Sequence, residues 1–434
     1  MEKLEECYVA IWCLLMPVTS LVVIPDVQGT IPAYLMAFMS VGFVFLRIRY
    51  GIITWPVLGY FRVLVYSLII WIIFLVGSQV GNILHPALDL KNIMLISDDT
   101  RLLFRTSLFT QSLYLAACIL IAVYFRFFFK EKYMRYVAWG AYFLAIYGLY
   151  DWTFFLVFQQ SGDFLANRTF AQGDHPGSWS QTMNVAGLNL LRLKSTEGEP
   201  SYYSAVVIPF LFMALERRQR FLSFLLFISA ILSTSTAVYL GLVITAFIKM
   251  LWTKNRRGTA LMAFLALIFC FIVFICVFPD AFRSLFSEKF AGDNDSGNGR
   301  WKTMTDFMDC LSNFSLLNWT FGIGFGYSYF TVPWAQVVNM GLPGLFLLIY
   351  LFLKPAYLLP REVGCEWLKV AMTALLVLFG LTLSELFMPT TWMFLGLAYR
   401  KLDEVTWRAQ ESVPEPRCLP RLPHRRRVPA QAQA

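Results

Sequence analysis

Long apolar runs separated by short polar patches dominate the pattern of this chain. The runs fall near 8–24, 31–47, 61–80, 107–128, 136–158, 202–216, 221–234, 236–251, 259–278, 335–353, 368–387 and 389–400. Most approach the ~20 residues that a helix needs to cross a bilayer core, and together they predict about twelve spans. A membrane β-barrel would instead show ~10-residue stretches of alternating polarity. The pattern predicts an all-α polytopic membrane protein. The seventh and eighth runs are short and meet at Leu232-Ser-Thr-Ser-Thr-Ala237. A helical hairpin with a polar tip is the plainer reading of that pair, and re-entrant half-helices lining a cavity are the alternative.

Cations set the direction of the spans. Arg47 and Arg49, then Arg126, Lys130, Lys132 and Arg135, then Arg217, Arg218 and Arg220, then Lys249, Lys254, Arg256 and Arg257 all follow even-numbered runs. The loop with Lys354, Arg361 and Lys369 does the same. By the positive-inside rule these loops and both termini face the cytoplasm. Residues 81–106, 159–201, the tip near Ser233–Thr236 and 279–334 then lie outside. The expected organisation is a membrane domain over 1–402, with larger outer loops at 159–201 and 279–334, and a cytoplasmic disordered tail over 403–434. That tail is rich in Pro, Arg and Gln, and Arg425-Arg-Arg427 suits contact with anionic lipid. Tyr8–Val23 is expected to be a retained span, since MEKLEECYVA carries acids and lacks a small-residue cleavage site.

Composition narrows the chemistry. The chain is 58% hydrophobic and 15% charged, with a mean hydropathy of +0.60, whereas soluble proteins are nearer a quarter charged. The formal charge of +9 resides largely in loops and tail, so a lipid bilayer and not a nucleic acid is the expected partner. With only His85, His175 and His424, and eight scattered Cys, neither a zinc site nor a disulfide framework has its ligands. Asp293-Asn-Asp295 and Asp98-Asp99 imitate pairs that hold hard divalent cations, yet short acidic pairs in outer loops read first as solvated surface. No metal or other cofactor is expected.

Arg192–Pro209, RLKSTEGEPSYYSAVVIP, packs two cations and two carboxylates into its first eight residues, just before an apolar run. Such density cannot sit in hydrocarbon and belongs at a helix mouth on the water–lipid boundary. Pro200 suits a first helical turn, with Glu199 or Ser201 as cap. An Arg there can neutralise phosphate with its bidentate fork, and Glu199 or Glu197 can take a proton as general base. The plainer alternative is that Arg192 and Glu199 only anchor the helix among the headgroups. A second group, Gly297-Asn-Gly-Arg-Trp301, precedes Phe321-Gly-Ile-Gly-Phe-Gly326, and Val338-Asn-Met-Gly-Leu-Pro-Gly344 opens the tenth run. No βαβ unit surrounds the glycines, which argues against a nucleotide fingerprint; close backbone approach to a ligand or helix fits better.

Arg, a Ser/Thr-rich stretch and Glu-Pro-Ser at the mouth of a helix, followed in order by the two Gly-rich elements, resemble the Wzy-type O-antigen/exopolysaccharide polymerases of the polymerase/ligase superfamily. The resemblance covers roughly 192–344. It implies a GT-C-like helical fold in the bacterial inner membrane with its active site facing the periplasm. The implied reaction moves a growing glycan from polyprenyl pyrophosphate onto the next lipid-linked repeat unit, without metal. Arg192 and Arg300 would hold pyrophosphate, and Glu199 or Glu197 would activate the acceptor. Arg168, Lys194, Ser201, Tyr202, Trp179, Trp301, Gly324 and Gly326 would contact substrate. Asp174 and His175 are secondary candidates. A flippase and a chain-length co-regulator are the partners the family implies. Residues 330–336 carry no His where the ligases have a His-Asn pair, which favours a polymerase over a ligase that joins polymer to lipid A core. A transporter of anionic or lipid-linked substrate would need charges inside its spans, where Asp151 and Glu385 are the clearest acids.

Overall fold

In a computed structural model the chain is described over residues 2–85, 103–168, 181–252, 258, 265, 305–326 and 331–411, apart from 26, 53, 186–187, 363 and 382. Its elements are α1 (Glu2–Leu15), α2 (Pro32–Arg49), α3 (Trp55–Leu84), α4 (Thr106–Phe128) and α5 (Met134–Phe158), then strands β1 (Thr182–Val185) and β2 (Leu188–Leu191). They continue with α6 (Pro200–Glu216), α7 (Arg220–Leu232), α8 (Thr236–Trp252), α9 (Leu316–Phe321), α10 (Val332–Leu358), α11 (Glu366–Leu381) and α12 (Pro389–Glu411). The two strands pair antiparallel, Thr182 opposite Leu191, as a hairpin in an otherwise helical protein. Proline in the first turn opens α2, α3, α6 and α10, where its missing N–H is not needed.

Five helical stretches are long and apolar enough to cross a bilayer: Pro32–Arg49, Trp55–Leu84, Thr106–Phe128, Glu131–Phe158 and Val332–Leu358. The protein is a multi-pass membrane protein. Among the described residues fewer full-length spans form than the twelve expected, and several runs differ from expectation. The run at 8–24 makes only the 14-residue α1, because Pro17 disfavours helix at the residue before it. Its remainder, with Val18 and Val22 buried, packs as irregular chain. Helices α6, α7, α8 and α11 have 17, 13, 17 and 16 residues. At ~1.5 Å per residue they fall short of a ~30 Å hydrocarbon core. The run at 368–387 stops at Leu381, and irregular chain leads to Pro389. Helix α12 continues to Glu411, past the expected start of the tail; 412–434 and, apart from 265, the run at 259–278 lie outside the described residues. Helices α7 and α8 do not close as a hairpin: α7 packs on α5 and α6, while α8 packs on α6 and α11.

Ion pairs gather the basic loops at one end of the bundle. Arg47 pairs with the buried Glu5, and Lys132 and Arg135 reach Glu6 at 2.8 and 2.6 Å. Arg217 pairs with Glu131, and Arg126 with Asp403 at 2.7 Å. Glu216 accepts the Trp367 N–H at 2.6 Å, which brings the start of α11 to the same end. Exposed pairs of this kind add little energy each; their use is to hold the helix ends in register.

Helix α10 is broken at Gly341, whose φ is 67°. There the chain after α9 crosses it backbone on backbone. Ile323 and Gly324 donate N–H groups to the carbonyls of Val338 and Asn339 at 2.8 and 3.2 Å. A Cβ on Gly322 would sit 2.4 Å from the Asn339 carbonyl carbon, and one on Gly341 2.5 Å from the Trp319 oxygen. The Gly-rich stretch expected to open the tenth span is therefore a mid-helix break. Helix-breaking glycine is tolerated at membrane depth where neighbouring chain satisfies the freed groups.

Candidate functional site

Away from the basic end, three irregular stretches meet: 16–31, 192–199 and 383–388. The middle one is wedged against α5. Ser195, at a φ of 55°, donates its hydroxyl to the Leu144 carbonyl at 2.6 Å. The Thr196 carbonyl accepts the N–H groups of Thr19 and Ser20 at 3.0 and 2.9 Å, tying 192–199 to the unwound stretch after α1. The Ser20 carbonyl in turn accepts the N–H groups of Asn167 and Arg168. A non-Gly residue held in the left-handed region costs roughly 1–3 kcal/mol and clusters at functional sites; here it bends the chain so that Glu197 and Glu199 point to different surroundings.

Arg168 is the centre of the electrostatics. Its Nη1 donates to the Thr19 carbonyl at 3.2 Å, and its charge acts on Glu197, Tyr34, Tyr114 and Tyr202. Glu385 acts on the same three tyrosines, and Glu199 on Tyr202. Glu199 is half-buried at the N-cap of α6 and accepts the Ser201 hydroxyl at 3.0 Å. Tyr202 shares a 3.1 Å hydrogen bond with Ser384. Tyr34 donates to the Phe387 carbonyl, fixing 383–388 against α2. One guanidinium, two carboxylates and three phenols thus face one region. Such a set can hold an anionic group while a carboxylate accepts a proton.

The two glutamates of the Glu-x-Glu stretch differ. Glu197 is fully buried and accepts the Thr19 hydroxyl at 2.9 Å. Burial pushes its carboxyl up to about 8, against the lowering effects of the Thr19 hydrogen bond and the Arg168 charge. It is a neutral acid inside the protein at neutral pH. Only Glu199 keeps partial access.

Other expected site residues lie elsewhere or serve packing. Arg192 turns to Gln181, which accepts from its Nη1, and acts electrostatically on Tyr239 of α8. Lys194, expected to touch substrate, is fully buried and paired with Asp163 at 2.5 Å. Asp163 also accepts from the Tyr147 hydroxyl at 2.8 Å, and Asp151 beneath it accepts the Gly162 N–H at 2.8 Å. Gly324 and Gly326, expected at a ligand, instead admit the start of α4. Their φ values are 92° and 120°, and a Cβ on Gly326 would lie 2.6 Å from the Ser107 Oγ. Arg300, Trp301 and Trp179 lie outside the described residues, as do Asp174, His175 and both acidic pairs.

Sequence reasoning missed Arg105. It is fully buried, and its Nη2 donates to the carbonyls of Ile323, Gly324 and Phe325 at 3.2, 3.3 and 3.0 Å. A Gly-x-Gly-x-Gly turn whose carbonyls point inward needs a buried cation, but nothing along the chain says which one supplies it. Glu385 was visible as an acid ending an apolar run; its convergence with Arg168, more than two hundred residues away in sequence, was not. Among the described residues no group of three His, Cys, Asp or Glu side chains could hold a metal ion. No protein-family model matches the chain, and no curated protein or solved structure is similar to it.

Proposed function

We propose that this protein is a membrane glycosyltransferase that polymerises lipid-linked oligosaccharide repeat units, taking the glycan from polyprenyl pyrophosphate at the periplasmic face of a bacterial inner membrane. The observation that carries the reading is the polar cluster at the end of the bundle away from the basic loops: Arg168 on the Thr19 carbonyl at 3.2 Å, Glu199 at the mouth of α6 accepting from Ser201 at 3.0 Å, and Tyr202 bonded at 3.1 Å to Ser384 beside Glu385. Arg168 supplies a fixed positive charge for the departing pyrophosphate. Glu199 is the base for the acceptor hydroxyl, since Glu197 is sealed and neutral. Arg300 would join Arg168 on the anionic leaving group, whereas Arg192 is held by Gln181. The missing His at 330–336 keeps a polymerase ahead of a ligase.

The test is complementation of a polymerase-null strain, with surface polysaccharide read on a gel and membrane levels of protein checked. Wild type restores a ladder. Glu199→Gln and Arg168→Ala leave a single repeat unit on the core, a loss of at least about a hundredfold, as for removal of a general base or a charge clamp. Full-length lipid-linked polymer that never reaches the core would make the protein a ligase. Unchanged ladders in both variants would remove these residues from the chemistry. One feature favours a transporter as second reading: α10 is discontinuous at Gly341, as are helices at many transport sites. That reading predicts loss of substrate movement with polymer length unchanged.

A further inference from the structure

Helices α4 and α12 pack along one another, and α3 and α10 rise on either side of them. Between these walls lies a half-open cavity of about 240 Å³. Its lining runs from Gln336, Leu386 and Trp392 down to Val63, Leu351 and Arg126 at the basic end. Helix α9 packs against both α3 and α10. Phe321 of α9 lies over Gly77 of α3, where a Cβ would be 2.4 Å from its ring. The cleft is thus closed by α9 toward one end and continues to the basic end.

The lining is nearly all hydrocarbon, so it has too few polar partners to hold water, each molecule of which needs about 2–4. It lies along helices that cross the membrane, where lipid chains are the surrounding solvent. The mouth adds charge. Arg62 adjoins Val63 on α3, and Lys354 follows Leu351 by one turn on α10. Arg62 lies over the Trp55 ring at 5.6 Å and Lys354 over the Tyr350 ring at 5.3 Å. Among the described residues neither has a carboxylate partner, whereas Arg126 is engaged by Asp403 through bonds of 2.7 and 3.0 Å. Arg62 on α3 and Lys354 on α10 thus stand at the level of the basic end of the cleft, and Asp403 beside it is already paired with Arg126.

We infer that this cleft binds an anionic phospholipid, with one acyl chain between α3 and α10 and the phosphate between Arg62 and Lys354. This assignment does not depend on the enzymatic reading. The guanidinium grips phosphate oxygens in a fork and the ammonium acts as a point charge, while the chain fills a void that side chains leave open. The lipid would wedge α3 and α10 apart beside the break at Gly341.

The purified protein, in nanodiscs of equal parts phosphatidylglycerol and phosphatidylcholine, tests this by native mass spectrometry of retained lipid. The expected result is preferential retention of phosphatidylglycerol. Arg62→Ala with Lys354→Ala lowers that preference by about thirty-fold, from ~1 kcal/mol per basic residue at a charged lipid surface. Ser67→Phe, which fills the cleft from α3 and leaves both cations in place, displaces the lipid as well. Circular dichroism and monodispersity confirm that the variants remain folded. Equal retention of the two lipids by wild type would overturn the assignment, as would a preference that survives either variant. Added polyprenyl phosphate that displaces phosphatidylglycerol in wild type but not in Ser67→Phe would reassign the cleft to the carrier lipid and overturn it too.

Discussion

Replacing Glu197 with glutamine isolates a carboxyl that burial pushes toward its neutral form. In the unfolded chain this group ionises near 4.5, while in the folded protein burial raises it to about 8. Folding therefore favours the protonated form. Below 4.5 both states are protonated and the group contributes no pH dependence. Between 4.5 and about 8 the unfolded state has lost its proton and the folded state has not, so stability falls as pH rises. The slope is about 1.4 kcal/mol for each pH unit, and the whole window is worth on the order of 5 kcal/mol. Thr19 donates to Oε2 at 2.9 Å and loses nothing to an amide oxygen at the same place. Across that window Glu197→Gln should then lose less stability than wild type. Thermal unfolding in detergent, followed by tryptophan fluorescence at several pH values from 5 to 8.5, reads the difference. The two proteins should behave alike at the acid end, and the variant should be more stable at the alkaline end. Parallel curves would refute the reasoning and show that Glu197 is ionised and compensated by Arg168.

Two further outcomes follow from buried charge. Lys194→Met strands Asp163 beside Asp151 and should cost about 3–5 kcal/mol in thermal or denaturant unfolding, as for one half of a buried pair; adding Asp163→Asn should recover much of it. An equal loss in the double variant would mean that the pair itself, not the stranded charge, holds 192–199 on α5. Arg105→Met deprives three carbonyls of their donor and should lower the unfolding midpoint by a similar ~3–5 kcal/mol. Arg105→Lys should restore part of it, because an ammonium keeps the buried charge and can donate to the same carbonyls from a single nitrogen, as Nη2 does, but lacks the planar guanidinium's fixed geometry.

The amino-acid pattern was enough to determine that this chain lives in a membrane and where most of its long helices begin. Local causes suffice for that. A hydrocarbon environment selects apolar runs, proline marks first turns as at Pro32 and Pro200, and basic residues collect beside alternate runs. The ion pairs from Glu5, Glu6, Glu131 and Asp403 join those basic loops at one end, as their spacing implied. Where the pattern failed, a contact distant in sequence had overridden it. The apolar stretch after Pro17 is irregular because Thr196 supplies its hydrogen bonds. The run at 368–387 is split because Leu383 pairs with Val332 at 2.8 Å and Phe387 with Tyr34. The Glu-x-Glu stretch was legible as a candidate site, but burial alone distinguishes Glu197 from Glu199, and burial is a property of the packed chain. Arg168 and Glu385 could be seen singly; that they face the same tyrosines is decided by how α2, α4 and α6 bring the three irregular stretches together. Periodicity and charge are written along the chain, whereas desolvation and convergence exist only once distant segments have removed water from between them.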